Sequence, residues 1–143
     1  MTMKIGFTGS KNGMTEKQKE VVANLEVFTG ARVEVHHGDC IGSDADFHNI
    51  IRGISQKIMI ITHPGFPAKD PKDLSLRAYC RSDNATAAKS FFVRNRDIVD
   101  VTELLIATPA SKKESGGTWF TINYSRQLNK KRIIVYPDGS IGE

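Results

Sequence analysis

"KIMIITHP", residues 57 to 64, is an apolar run of strand length with no alternation between its two faces. A strand exposed to water on one side alternates, so a run apolar on both sides fits a strand in a parallel sheet with helices packed above and below. The rest of the chain repeats that pattern. Strand-like runs also stand at "MKIGFTG" (3 to 9), "RVEVHHGD" (32 to 39), "ELLIATP" (103 to 109) and "RIIVYP" (132 to 137). Helical patterns fall between them at 15 to 30, 42 to 55, 91 to 101 and 116 to 129. Strand and helix in alternation predict an α/β fold: a Rossmann-like open parallel sheet of about five strands with helices on both faces.

The first helix has the clearest signals. Thr15 and Gln18 form a capping box, Val21, Leu25 and Phe28 make one apolar face, and Gly30 stands where a C-terminal cap belongs. Ser43 or Asp44 is the expected cap of the second helix. Residues 65 to 88 carry Pro-containing turns and no sustained period, which predicts a long loop with a short helical piece at 73 to 81. A loop of that length in a compact domain is often functional, as a lid or an interface.

With 143 residues and 39% hydrophobic content the chain suits one domain, residues 1 to 143. The formal charge of +4 favours anionic partners. Cys40 and Cys80 have no CxxC spacing, so neither a zinc site nor a disulfide framework is expected, and a reducing cytoplasm fits. No segment reads as a signal peptide or a membrane span, and no cofactor or metal is called for.

Open parallel sheets bind ligands at the carboxyl ends of their strands, and the glycines of this chain cluster there. Gly9, Ser10 and Lys11 follow the first strand, small enough for backbone N–H groups to approach a ligand, with a hydroxyl and a charge for phosphate. "HHGDCIGSDADFH" (36 to 48) places Asp44 and His48 one helical turn apart, and Asp44 suits either a helix cap or ribose hydroxyls. His36, His37 and His48 with the aspartates match no established metal-ligand spacing. In "VRNRDIVD" (93 to 100), Arg94 and Arg96 offer planar guanidinium groups for phosphate or surface pairs for Asp97 and Asp100. Last, Ser115, Gly116, Gly117 and Thr118 open a helix, with Thr121 three residues on, so backbone amides and two hydroxyls meet at a helix N-terminus. The loop lacks the lysine of GxxxxGK[ST] and the spacing of GxGxxG.

Taken in order, "FTGS", "HHGDCIGSDADFH", "FVRNRDIVD", "LLIATP", "SGGTWFTINYSR" and "RIIVYPDG" resemble the superfamily that joins the DNA-processing protein DprA (Smf) with the Lonely Guy phosphoribohydrolases. The chain is more similar to the DprA core, matching at Gly9, Ser10, Gly42, Asp44, His48, Phe92, Arg94, Asn95, Arg96, Gly116, Gly117, Thr118 and Thr121. Ile122 replaces an alanine of that pattern, and residues 65 to 88 are unmatched. The resemblance implies a protein that senses, sequesters or processes a nucleotide or nucleotide-derived small molecule, including signals in conflicts between bacteria and their viruses. It also implies a homo-oligomer. A nucleotide N-glycosidase is the alternative, in which Asp44 and Arg94 would be catalytic, because the glutamate of the Lonely Guy signature PGGxGTxxE has no counterpart after Gly117. A DprA-like binder of single-stranded DNA is a third reading, with Phe66, Tyr79 and Trp119 as its candidates for base stacking.

Overall fold

A computed structural model describes residues 1–143. In chain order its elements are β1 (Met3–Gly9), α1 (Glu16–Ala23), a 3-10 turn (Glu26–Thr29), β2 (Val33–His37), α2 (Ser43–Ile54), β3 (Met59–Thr62), β4 (Gly65–Phe66), β5 (Asn84–Ala85) and β6 (Lys89–Ser90). There follow α3 (Phe91–Asp100), β7 (Leu104–Thr108), α4 (Gly117–Gln127), β8 (Lys131–Val135) and β9 (Ile141–Gly142). The main sheet has seven strands in the order β5-β3-β2-β1-β7-β8-β9, parallel throughout except where β9 runs against β8. The strand order reverses between β1 and β7, and loops leaving those two strands diverge to leave a crevice.

Alternate residues of β1 show how the two faces are covered. Phe7 stacks on Phe47 of α2 with ring centroids 4.2 Å apart, inside a core that also holds Ile5, Val35, Ile51, Ile60 and Ile106. Gly6 points the other way, where an added Cβ would stand 2.8 Å from Thr102 Oγ1 and 3.0 Å from Ile98 Cγ2 at α3. On that second face Ala107, Trp119, Ile122 and Ile134 form a smaller cluster under α4. Each fully buried aromatic or branched side chain contributes about 1.5–3 kcal/mol by its removal from water.

The five expected strands are β1, β2, β3, β7 and β8; β5 and β9 extend the sheet at its two edges as two-residue strands too short to leave a periodic signal. The capping box is present, with Gln18 N donating to Thr15 Oγ1 at 3.1 Å and Thr15 N to Gln18 Oε1 at 2.9 Å. The first helix is shorter than expected. It ends at Ala23, the Asn24 side chain donates to Glu20 O at 2.8 Å, and Leu25 is extended. The 3-10 turn then carries Phe28 into the core, and Gly30 is extended with φ −64° instead of forming a left-handed cap.

Neither Ser43 nor Asp44 caps α2. Gly42 is the N-cap, the Ser43 amide donates to Ser10 O at 2.9 Å, and the Asp44 carboxylate turns back toward the preceding loop. The 65 to 88 stretch has no helix at 73 to 81; its middle is a series of turns held against the loop after β2.

Candidate functional site

A cavity of about 480 Å³ opens at the carboxyl ends of β1, β2 and β7, at the crevice where the strand order reverses. Its walls are the loop after β1, the turn before α2, one face of α3 and the segment leading into α4.

The start of α4 forms one wall. Gly116 is the N-cap with φ +90°, a conformation that favours glycine, and no side chain caps the helix. The amides of Gly117, Thr118 and Trp119 have no acceptor in the protein; the first helical bond is Phe120 N to Gly116 O at 3.0 Å. A Cβ built on Gly116 would meet nothing within 4 Å, and one on Gly117 only Asn95 Nδ2 at 4.0 Å. Packing therefore does not demand glycine at 117; the empty space lies on the cavity side. Unpaired amides at a helix N-terminus, where the helix dipole is positive, attract anions.

Opposite stand two buried charges. Arg94 is 7% exposed, and its guanidinium donates to Gly38 O and His63 O (3.1 Å) through Nη1 and to Asn95 Oδ1 (2.7 Å) through Nε. No carboxylate lies within ion-pair distance of it. Nη2 has no protein partner and is not sealed in, which leaves it open to the cavity. Asp44 is 6% exposed and accepts from the Cys40 amide at 3.1 Å, with no side-chain donor. Burial pushes its carboxyl up to about 6 against the pull of Arg94. Gly38 lies between them: a Cβ there would be 2.3 Å from Arg94 Nη1 and 2.8 Å from Asp44 Oδ2. Two opposite charges held close, unpaired and largely out of water are costly, and such groups in a cleft mark a functional site.

The other polar cluster is internally satisfied. Asp39 N donates to His37 Nδ1 at 3.0 Å, so a neutral His37 carries its proton on Nε2 and donates to His48 Nδ1 at 3.0 Å. The Asp39 carboxylate, 1% exposed, accepts from Arg77 Nε at 2.9 Å and Cys80 N at 2.8 Å, tying the long loop to the end of β2. His36 bonds His63 at 2.8 Å and Glu34 at 2.7 Å. Burial lowers the pKa of all four histidines, that of His63 to about 4, so each is neutral at pH 7. Donor atoms of His37, His48 and Cys80 lie within 4.8 Å of one another, a set that could hold a metal. The proton on His37 Nε2 occupies the lone pair that such an ion would need.

Of the residues singled out in the sequence, Gly9, Ser10, Asp44, Arg94, Gly116, Gly117 and Thr118 border the cavity. Two do not. Arg96 is exposed on the far side of α3, because two residues along a helix turn a side chain through most of a half circle. Thr121 is 1% exposed and spends its hydroxyl on Gly117 O of its own helix at 2.9 Å. Trp119 is mainly core: Nε1 donates to Ser111 O at 3.0 Å and the ring packs with Ile122 and Ile134. Among the wall residues not singled out as ligands are Phe91, Asn95, Lys113 and Leu76, the last from the long loop. The spacing of Phe91, Asn95 and Ile98 along one helical stripe is the signal that could have found the first two.

The sequence matches no family model and no curated protein. Solved structures share its fold. TM1055, a structural-genomics target, superposes with a TM-score of 0.62 at 12% identity over 91% of this chain and 72% of that one. DNA processing protein A from Helicobacter pylori, described for its single-stranded DNA binding mode, gives 0.59 at 15% identity over 92% of this chain. DNA processing protein A (DprA) from Streptococcus pneumoniae gives 0.63 at 18% identity over 93%. The chain spans 64% and 50% of those two DprA chains. These likenesses establish the DprA-type Rossmann-like fold that the resemblance implied.

Proposed function

We infer that the chain binds a nucleotide or nucleotide-derived small molecule in this cavity. The observation that carries the reading is the pairing, across one cavity, of three unpartnered amides at the start of α4 with the buried carboxylate of Asp44. The amides suit a phosphate, helped by Ser10 and Lys11 on the neighbouring loop; Asp44 suits the donor hydroxyls of a sugar. Arg94 supplies positive potential from below and the free NH₂ group of Nη2. The rings of Phe91 and Phe92 at the rim offer apolar surface for a base. No helix is long and apolar enough to cross a membrane.

One observation favours cleavage as a second reading: the Asp44 carboxyl lines the cavity from a buried position, and that burial, which pushes it up to about 6, suits it to proton transfer near neutral pH. The DNA-binding reading rests on fold alone. Titration calorimetry against mononucleotides and against a single-stranded oligonucleotide, each at two salt concentrations, separates the readings. A small-ligand binder saturates at one nucleotide per chain with a shallow salt slope, whereas a DNA binder weakens in proportion to the phosphates it contacts.

A further inference from the structure

We propose that Asn95 determines the specificity of the anion subsite, donating through Nδ2 to the phosphate held at the start of α4, with Arg94 fixing its carboxamide in that sense. The inference rests on the nucleotide-binding reading of the cavity and adds a side-chain donor that makes one part of it select a hydrogen-bond acceptor.

A carboxamide ordinarily can be turned either way, its two ends being nearly alike in shape. Here the turn is decided chemically. Arg94 Nε carries a proton and has no lone pair to offer, so the atom 2.7 Å from it must be the Asn95 oxygen. The NH₂ end therefore points the other way. Nδ2 makes no hydrogen bond in the protein and stands 4.0 Å from where a Cβ of Gly117 would begin. One ligand oxygen there could accept from the Gly117 amide and from Asn95 together.

Arg94 is well placed to hold that orientation. Its guanidinium is tied to Gly38 O and His63 O on β2 and β3 loops as well as to Asn95, and 93% of the residue is withdrawn from solvent. Three of its bonds are thus spent on the protein, and its remaining Nη2 faces the cavity. This buried cation, with no carboxylate within ion-pair distance and its Nη2 unpartnered, is a second sign, independent of the helix terminus, that the cavity receives an anion. The division of labour is that Arg94 orients and supplies charge, while Asn95 and the three α4 amides touch the ligand.

The test is Asn95→Asp, which keeps the oxygen facing Arg94 Nε and replaces the donor end with an acceptor. The probes are inorganic phosphate and a nucleoside 5′-monophosphate beside its nucleoside, followed by amide ¹H–¹⁵N spectra and by calorimetry. In the unaltered chain, phosphate should shift the Gly117, Thr118 and Trp119 amides and the Asn95 side-chain NH₂ signal. Asn95→Asp should weaken phosphate and the monophosphate at least about tenfold, the loss expected for a hydrogen bond to a charged group replaced by repulsion. Affinity for the nucleoside should hold, and the melting temperature should hold or rise because Arg94 gains a carboxylate partner. A merely structural asparagine would show the reverse, falling stability with unchanged phosphate selectivity. Equal phosphate affinity in the two proteins, or no response of the α4 amides to phosphate, overturns the proposal. Asn95-dependent phosphate binding with no affinity for any nucleotide would keep the subsite and remove the nucleotide reading; nucleotide binding indifferent to Asn95→Asp would do the opposite.

Discussion

Asp44→Asn should trade function for stability in a way that only a buried, ligand-facing carboxylate explains. The carboxyl is pushed from an ordinary 3.8 to about 6, chiefly by burial. At about 1.4 kcal/mol per unit, holding it ionised at pH 7 costs the folded state about 3 kcal/mol. The sign follows from proton counting. Between those two values the folded chain holds a proton that the unfolded chain has released, so this group lowers stability as pH rises from about 4 to about 6. The buried histidines act oppositely: with His63 held to about 4, the unfolded state binds the extra proton, and stability falls on acidification from 6.5 toward 4. Subtracting the two proteins at each pH cancels the histidines. Urea denaturation at pH 4, 5, 6 and 7 should show the advantage of Asp44→Asn growing by about 2 kcal/mol across the series, while nucleotide affinity is lost. A difference that stays flat within about 1 kcal/mol would mean that the carboxyl titrates normally, and the electrostatic basis of the site would be wrong.

The glycines should separate packing from function. Gly9→Ala places a Cβ 2.4 Å from Thr108 Oγ1 and 2.5 Å from Ser43 Cβ, and should cost about 1–3 kcal/mol in thermal or urea unfolding. Gly117→Ala meets no protein atom nearer than 4.0 Å and should leave the fold as stable or up to about 1 kcal/mol more so, yet weaken nucleotide binding by about tenfold in calorimetry. Asp39→Ala removes the acceptor of Arg77 Nε and Cys80 N; hydrogen exchange should show faster opening around residues 76 to 81, with about 3 kcal/mol lost overall.

The alternation of strands and helices was legible because it rests on side-chain period, and "KIMIITHP" shows it: Ile58, Ile60 and Thr62 are buried, and Ile61 is half-buried on the opposite face. What escaped was whatever depends on a single turn of backbone or on partners far along the chain. The break after Ala23 is set by Leu25 adopting an extended conformation so that Phe28 can reach the core, and the periodicity of residues 15 to 30 carries no mark of it. Arg94 and Arg96 could be told apart only by the phase of α3, since each residue turns a helix by about 100°. Thr121 was read as a ligand group because hydroxyls suit phosphates, but a threonine inside a helix can satisfy itself on the carbonyl four residues back. Asp39, whose backbone stands at φ +53° and whose carboxylate anchors the long loop, makes contacts 38 and 41 residues away that no local pattern encodes.

The most direct measurement is to incubate the purified protein with a mixture of nucleotides that includes AMP, ADP-ribose and cyclic forms, remove unbound material, denature, and chromatograph what is released. One nucleotide per chain, recovered intact, lost in Asp44→Asn and reduced in Gly117→Ala, is the result expected of a binder built from the α4 amides and Asp44. Retention of no nucleotide would contradict the assignment of the cavity, and free base or ribose phosphate accumulating with time would mean that the buried carboxyl cleaves what the helix terminus holds.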